Sequence, residues 1–224
     1  NQFKAVIFDY GGVLMSHSKE VPEWTRLEKE LGLPKGSIQK NLFAIFKDHP
    51  KLDRCIFEGQ LSAEEMEEEL LPSYLEKKID VVLPRPFPVL NLWMGPGAKI
   101  PINENMMGVV RTLKDRGIHT SILTNNYKMD RKGLEVRTPV EDGLFDVIVE
   151  SSVEGFMKPD VEIYEMTQYR LPFSISPTEC IFLDDNKDNI RAAEEFGWTA
   201  ILVDPHNIEQ AIRDLEKHLK MDLT

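Results

Sequence analysis

Four short stretches of this chain carry side chains that could do chemistry. Asp9 ends the apolar run Val6-Ile7-Phe8, and Tyr10, Gly11 and Gly12 follow it directly. A carboxylate so placed can be a nucleophile, a metal ligand or merely the cap of a turn, and residue type and spacing leave all three open. The two glycines permit tight turning and close approach of backbone to a ligand. Thr124, Asn125 and Asn126 end a second run, Ile122-Leu123; a hydroxyl and an amide there can hold a phosphate oxygen or cap the next helix. Lys158-Pro159-Asp160 sets a cation just ahead of a helix start, an arrangement suited to an anion, although an isolated lysine is usually an ordinary surface residue. Asp184 and Asp185 end a fourth run, Cys180-Ile181-Phe182-Leu183, ahead of Asn186. Adjacent carboxylates at the end of a buried strand are unfavourable unless a cation neutralises them. Oxygen donors of this kind suit Mg²⁺, which takes one or two carboxylates and keeps waters and substrate phosphate as other ligands. A helix N-cap explains one of the two aspartates more readily than both.

The elements that must position these groups are legible as short β-branched or aromatic runs at 5–8, 121–123, 145–149, 180–183 and 200–203. Unbroken apolar strands of this length belong to parallel sheets covered on both faces. Helical patterns lie between them. Asn103 caps a stripe of Met106, Val109, Val110 and Leu113 that stops at Gly117; a second helix runs from Pro159 toward Arg170. A third carries Ile190, Ala193 and Phe196 to Gly197, and a last one, starting at Asn207, stripes Ile208, Ala211, Ile212, Leu215 and Leu219. The expected fold is α/β, a Rossmann-like parallel sheet core with helices on both faces, whose ligands gather at the carboxyl ends of the strands.

One stretch departs from this alternation. Between about Ser16 and Pro96 only helical periodicity appears, with Trp24, Leu27 and Leu31 on one stripe and Ile38, Leu42 and Ile45 on another. Ser62 and Glu65 form a capping box before Met66. The expectation is an inserted α-helical cap at 16–96 and a core of 1–15 plus 97–224. The run of Glu64, Glu65, Glu67, Glu68 and Glu69 reads as a solvated helix face. Trp24, Phe43, Phe46 and Phe57 read as cap core, while Trp93 is the better candidate for a pocket wall.

Composition narrows the function classes. With 27 basic and 38 acidic side chains in 224 residues, the net charge is −11, which gives no basic stripe for a nucleic-acid backbone. No apolar stretch reaches the ~20 residues of a membrane span, and no apolar leader opens the chain. Two cysteines, Cys55 and Cys180, make neither a disulfide framework nor a zinc site. A cytoplasmic protein, monomer or homodimer, is expected; a start at Asn1 rather than Met reads either as a trimmed chain, which would leave an organelle address open, or as one domain of something longer.

Carboxylate, hydroxyl, lysine and carboxylate pair, in that order and each at a strand end or helix start, resemble the four motifs of the haloacid dehalogenase-like hydrolase superfamily. The resemblance spans the whole chain. Within it, Phe145 to Ser151, Gly155, Lys158-Pro159-Asp160 and Phe182-Leu183-Asp184-Asp185 are similar to two of its subgroups. One contains the N-terminal phosphatase domain of soluble epoxide hydrolase, the other the domain that precedes an acyl-CoA dehydrogenase. The resemblance implies that Asp9 attacks phosphorus to form an aspartyl-phosphate, later hydrolysed by water. It implies Mg²⁺ on Asp9, the Gly11 carbonyl and Asp185, with Asp184 close by. Thr124 and Asn125 would hold phosphoryl oxygens and Lys158 would offset charge. The substrate would be a small phosphomonoester, with neither nucleic acid nor membrane as partner.

Gly11 departs from the pattern, since most phosphatases of the family place there a second aspartate that serves as general acid and base. Its absence predicts slow turnover, or a proton relay through substrate, water, Tyr10 or His17. Two alternatives follow: a catalytically weak module that binds a phosphorylated ligand, and a 2-haloacid dehalogenase, for which Asp184-Asp185 would be superfluous.

Overall fold

The computed structural model describes residues 2–16, 21–95, 101–133 and 138–223. Strand β1 (Ala5–Phe8) is followed by helices α1 (Pro22–Glu30), α2 (Ser37–Asp48) and α3 (Pro50–Phe57). Helix α4 (Ala63–Glu65) runs through a π-helical turn (Met66–Leu70) into α5 (Leu71–Ile79), and α6 (Val89–Met94) ends the stretch. Then come α7 (Glu104–Asp115), β2 (His119–Thr124), β3 (Val147–Glu150), α8 (Ser151–Glu154), α9 (Val161–Arg170) and β4 (Cys180–Asp184). Helix α10 (Lys187–Phe196), β5 (Thr199–Leu202) and α11 (Ile208–Leu219) complete the chain. The described chain divides into two compact units, 1–17 with 101–126 and 138–224, and 18–100 with 127–137.

The first unit is a five-stranded parallel sheet in the order β3-β2-β1-β4-β5. Ala5, Ile7, Leu123, Cys180 and Phe182 pack on one face against Ile163 and Tyr164 of α9 and Ala193 of α10. The alternate residues Val6, Phe8, Ile181 and Leu183 are equally buried, and α7 and α11 pack against β2, β5 and each other. Burial on both faces explains the unbroken apolar strands. β3 begins at Val147, two residues later than the apolar run at 145–149 suggests. Asp146 donates its backbone N–H to the Thr120 carbonyl at 2.8 Å, but the return bond from the Thr120 N–H goes to its carboxylate at 3.0 Å, which also pairs with Lys114, so a side chain stands in for the ladder at this end.

Sheet order fixes where chemistry can occur. β1 lies between β2 and β4, so connections leave it in opposite directions and a crevice opens at its carboxyl end. Phe8 pairs with Leu183 on one side and with Ile122 on the other. One residue further along, that register sets Asp9 beside Asp184. Gly12 adopts φ +74°, the left-handed conformation that glycine enters without steric penalty, and its N–H donates to the Met15 carbonyl at 2.8 Å. The chain thus turns away just past Asp9.

The second unit is helical around Trp24, Ile38, Leu42, Ile45, Met66, Leu75 and Phe87. Trp93 belongs to that packing, with ring centroids 5.9 Å from both Trp24 and Phe43. A second segment, 127–137, joins this unit, although the sequence reading puts it in the core. The reason is local: Tyr127 and Met129 are buried in the helical cluster, and the carbonyls of Lys128 and Met129 accept the N–H groups of Ala63 and Glu64. Ser62 and Glu65 form the expected capping box.

The glutamate run is not uniformly solvated. Glu68 pairs with Arg131 and Glu69 with Arg85, but Glu67 is buried. Its carboxylate accepts the N–H groups of Leu90 (2.5 Å) and Asn91 (2.8 Å) and the Asn91 amide (2.6 Å). Those N–H groups lie in the first turn of α6 and lack intrahelical partners, so Glu67 satisfies them from outside. The π-helical turn carries an extra residue per turn, so the reading of this face at ordinary helical spacing fails there.

Candidate active site

Asp9 stands one residue beyond β1, its side chain nearly buried. Its Oδ1 accepts the N–H of Tyr10 at 2.7 Å and the ammonium of Lys158 at 2.9 Å. Lys158 is no surface lysine: its side chain is 1% exposed. Its Nζ also donates to Asp184 Oδ2 at 2.7 Å and to the Leu123 carbonyl at 2.9 Å, and lies 5.4 Å from the Phe182 ring centre. Far from facing an anion at a helix start, the ammonium bridges two carboxylates at the strand ends. Asp184 is fully buried at the end of β4, and each of its oxygens has two donors. Oδ1 accepts from the Asn186 N–H (2.8 Å) and the Asn189 amide (3.1 Å), Oδ2 from that amide (3.1 Å) and Lys158. Asp185 completes the cluster: one oxygen each from Asp9, Asp184 and Asp185 lies within 4.8 Å of the other two. The helix N-cap role falls to Asn186, whose Oδ1 accepts the N–H of Asp188 at 2.8 Å.

The electrostatics are strained by design of the packing. Burial is the main force lifting the Asp9 carboxyl, with Asp184 and Asp185 adding to it. Lys158 opposes them only in part, and the result is about 7. For Lys158 burial pulls the other way, yet Asp184 and Asp9 outweigh it and hold the ammonium above its ordinary value. Among the described residues, the Lys158 ammonium lies between Asp9 and Asp184, and Asp185 brings a third carboxylate oxygen to within 4.8 Å of theirs.

The remaining candidates fall into place around this cluster. Thr124, buried, is the last residue of β2. Asn125 follows it, and its amide is hydrogen-bonded on both sides to the backbone of Lys158. Gly11 forms a backbone bridge with Met15. Of the two proposed proton relays, the Tyr10 hydroxyl donates to the Pro139 carbonyl at 3.1 Å, and burial pushes its phenol up to about 12, so it is not a donor poised near neutrality. His17 lies outside the described residues. The sequence reading missed Asn189, which holds both oxygens of Asp184, and Tyr164, whose hydroxyl donates to the Asn189 carbonyl at 3.0 Å. Asp184 ends β4 and Asn189 lies five positions on in α10, so no regular helical spacing marks the pair in the sequence.

A buried lysine joining carboxylates at the switch point of a parallel sheet defines a class of α/β enzyme whose reacting groups come from strand ends. The chain belongs to the haloacid dehalogenase-like hydrolases, whose family model matches residues 3–197. Among curated relatives it is 29% identical over 234 residues to acyl-CoA dehydrogenase family member 10 of Mus musculus, covering 99% of this chain and 20% of that one. It is 30% identical over 221 residues to bifunctional epoxide hydrolase 2 of Sus scrofa, covering 96% and 38%. The chain therefore spans well under half the length of these two relatives. With the sesquiterpene phosphatase astK of Aspergillus oryzae it shares 30% identity over 199 residues, 89% of each protein. Among solved structures, a haloacid dehalogenase family enzyme of Bacteroides thetaiotaomicron in complex with magnesium and inorganic phosphate matches with a TM-score of 0.59. It is 18% identical, and the match covers 89% of this chain and 93% of that one. Among the described residues, no helix is long and apolar enough to cross a membrane.

Proposed function

We propose that this chain is a Mg²⁺-dependent phosphatase acting on small phosphomonoesters, with Asp9 as nucleophile. The observation that carries the proposal is the gathering of the Asp9, Asp184 and Asp185 carboxylates at the strand ends, one oxygen of each within 4.8 Å of the other two. Such a donor set fits Mg²⁺. Asp9, the Gly11 carbonyl and Asp185 would hold it, because the lone pairs of Asp184 are already filled by Lys158, Asn186 and Asn189. Bound there, the ion would supply positive charge to the phosphoryl oxygens and let a dianion approach a carboxylate. The relatives named as phosphatases and the magnesium–phosphate complex of the Bacteroides enzyme support this reading.

The chain's own residues account for the rest. An Asp9 oxygen attacks phosphorus, the P–O bond to the leaving group breaks, and water then cleaves the aspartyl-phosphate to return Asp9 and release inorganic phosphate. Lys158 stabilises charge on Asp9 and the phosphoryl group. Thr124 contributes its hydroxyl to a phosphoryl oxygen. Gly11 offers no proton, so the leaving oxygen departs with its charge or takes a proton from water. We assign selection of the leaving group to the residues of the helical unit.

Hydrolysis of an aryl phosphate by wild type and Asp9→Asn, with and without Mg²⁺, tests the proposal. Mg²⁺-dependent release that Asp9→Asn abolishes is the expected result. Release that survives either Asp9→Asn or removal of Mg²⁺ would overturn it.

A further inference from the structure

We infer that Asn125 is a positioning residue, which acts on the reaction through Lys158 rather than by touching the phosphoryl group. Its kinetic consequence rests on the phosphatase reading above; its structural consequence does not. Asn125 Oδ1 accepts the Lys158 N–H at 2.8 Å, and its Nδ2 donates to the Lys158 carbonyl at 2.9 Å. One amide thus pairs with both backbone groups of one residue. Two positions earlier on the same strand end, the Leu123 carbonyl accepts from Lys158 Nζ at 2.9 Å. The end of β2 therefore grips Lys158 at both extremities, backbone and ammonium. A lysine stem is long and flexible, so holding the backbone is what turns it into a fixed point charge between Asp9 and Asp184.

The grip is chemically particular. It needs a donor and an acceptor on one planar group, so threonine, leucine or aspartate cannot supply it. The strand end that carries it is itself anchored by the next residue. Asn126 Nδ2 donates to Glu150 Oε1 at 2.5 Å and to Thr138 Oγ1 at 3.2 Å, while its Oδ1 accepts from the Ser152 hydroxyl at 2.9 Å. Asn126 N–H donates to Ser151 Oγ at 3.0 Å. The two adjacent asparagines therefore divide the work: Asn126 ties β2 to the start of α8, and Asn125 ties it to Lys158.

The test uses the full chain without metal or phosphate and reads the Lys158 ammonium by nitrogen-15 NMR, assigned through Lys158→Gln. In wild type its protons are protected from exchange; in Asn125→Ala protection falls ~10-fold or more, with the fold intact by circular dichroism. In turnover of an aryl phosphate with Mg²⁺, a misplaced Lys158 lowers kcat by ~10–100-fold. KM and the inhibition constant of inorganic phosphate stay within about threefold of wild type. Unchanged ammonium protection overturns the inference, as does a weakening of KM and phosphate inhibition with kcat preserved, the pattern of a direct phosphate ligand. If Asn125→Ala does not fold, Asn125→Asp, close in shape but without the donor, is held to the same outcomes. If wild type releases no phosphate, the phosphatase reading fails while the ammonium comparison still decides the role of Asn125.

Discussion

At Gly11 the chain lacks a side chain where proton transfer to a leaving group would be placed, and a general acid is worth ~10²–10⁴-fold in rate. The rate should therefore follow leaving-group acidity steeply: aryl phosphates turn over, and alkyl phosphates fall behind by a factor of that order. Gly11→Asp should narrow the gap by raising alkyl phosphate turnover while changing aryl turnover little. A flat dependence on leaving-group pKa in wild type, measured over a series of phosphate esters, would show that proton transfer is not limiting. Tyr10 is the neighbour to test next. Its hydroxyl is engaged by the Pro139 carbonyl, and burial lifts its phenol to about 12. Tyr10→Phe should thus leave kcat within about twofold, whereas a loss above tenfold in a pH–rate profile would restore it as a proton relay.

At the level of elements, the buried Glu67 makes the turn into α6 depend on a distant helix. Glu67→Ala would strand two first-turn N–H groups and the Asn91 amide, and an unsatisfied buried donor costs about 1–3 kcal/mol. Loss of ~3 kcal/mol or more in urea unfolding is expected; a change under 1 kcal/mol would mean that water replaces the carboxylate at no loss. The sequence could not show this. Five glutamates among six positions look like a wet face, and the π-helical turn that rotates Glu67 inward has no composition of its own. Tyr127 and Met129 were illegible for a related reason, since a few apolar residues after a strand carry no mark of which core they join. The strands and the capped helices were legible because local periodicity and capping chemistry specify them. The aspartates and Lys158 were legible as motif residues, but their bonding was not. That Asn125 grips a backbone 33 residues away, or that Asn189 fills Asp184, depends on sheet order and register.

For the molecule as a whole, the buried carboxylate cluster is a store of electrostatic tension that the proposed Mg²⁺ would relieve. Asp9 sits at about 7 in the fold, well above the ordinary carboxylate value, chiefly because it is buried. Between that ordinary value and about 7 the folded state holds the extra proton, so without metal this group's share of stability declines as pH rises across that window. Mg²⁺ bound as proposed would reverse the sign: it would compete with the proton on Asp9, and its affinity would rise with pH until Asp9 is fully ionised. A ligand that binds only the folded state raises its stability by about 2.7 kcal/mol at a hundred times its dissociation constant. At one fixed Mg²⁺ concentration the increase in Tm should be larger at pH 8 than at pH 6, and Asp185→Asn should remove most of it. Differential scanning fluorimetry at the two pH values reads this directly. An equal shift at both would place the ion away from Asp9, and a shift that survives Asp185→Asn would place it outside the carboxylate cluster altogether.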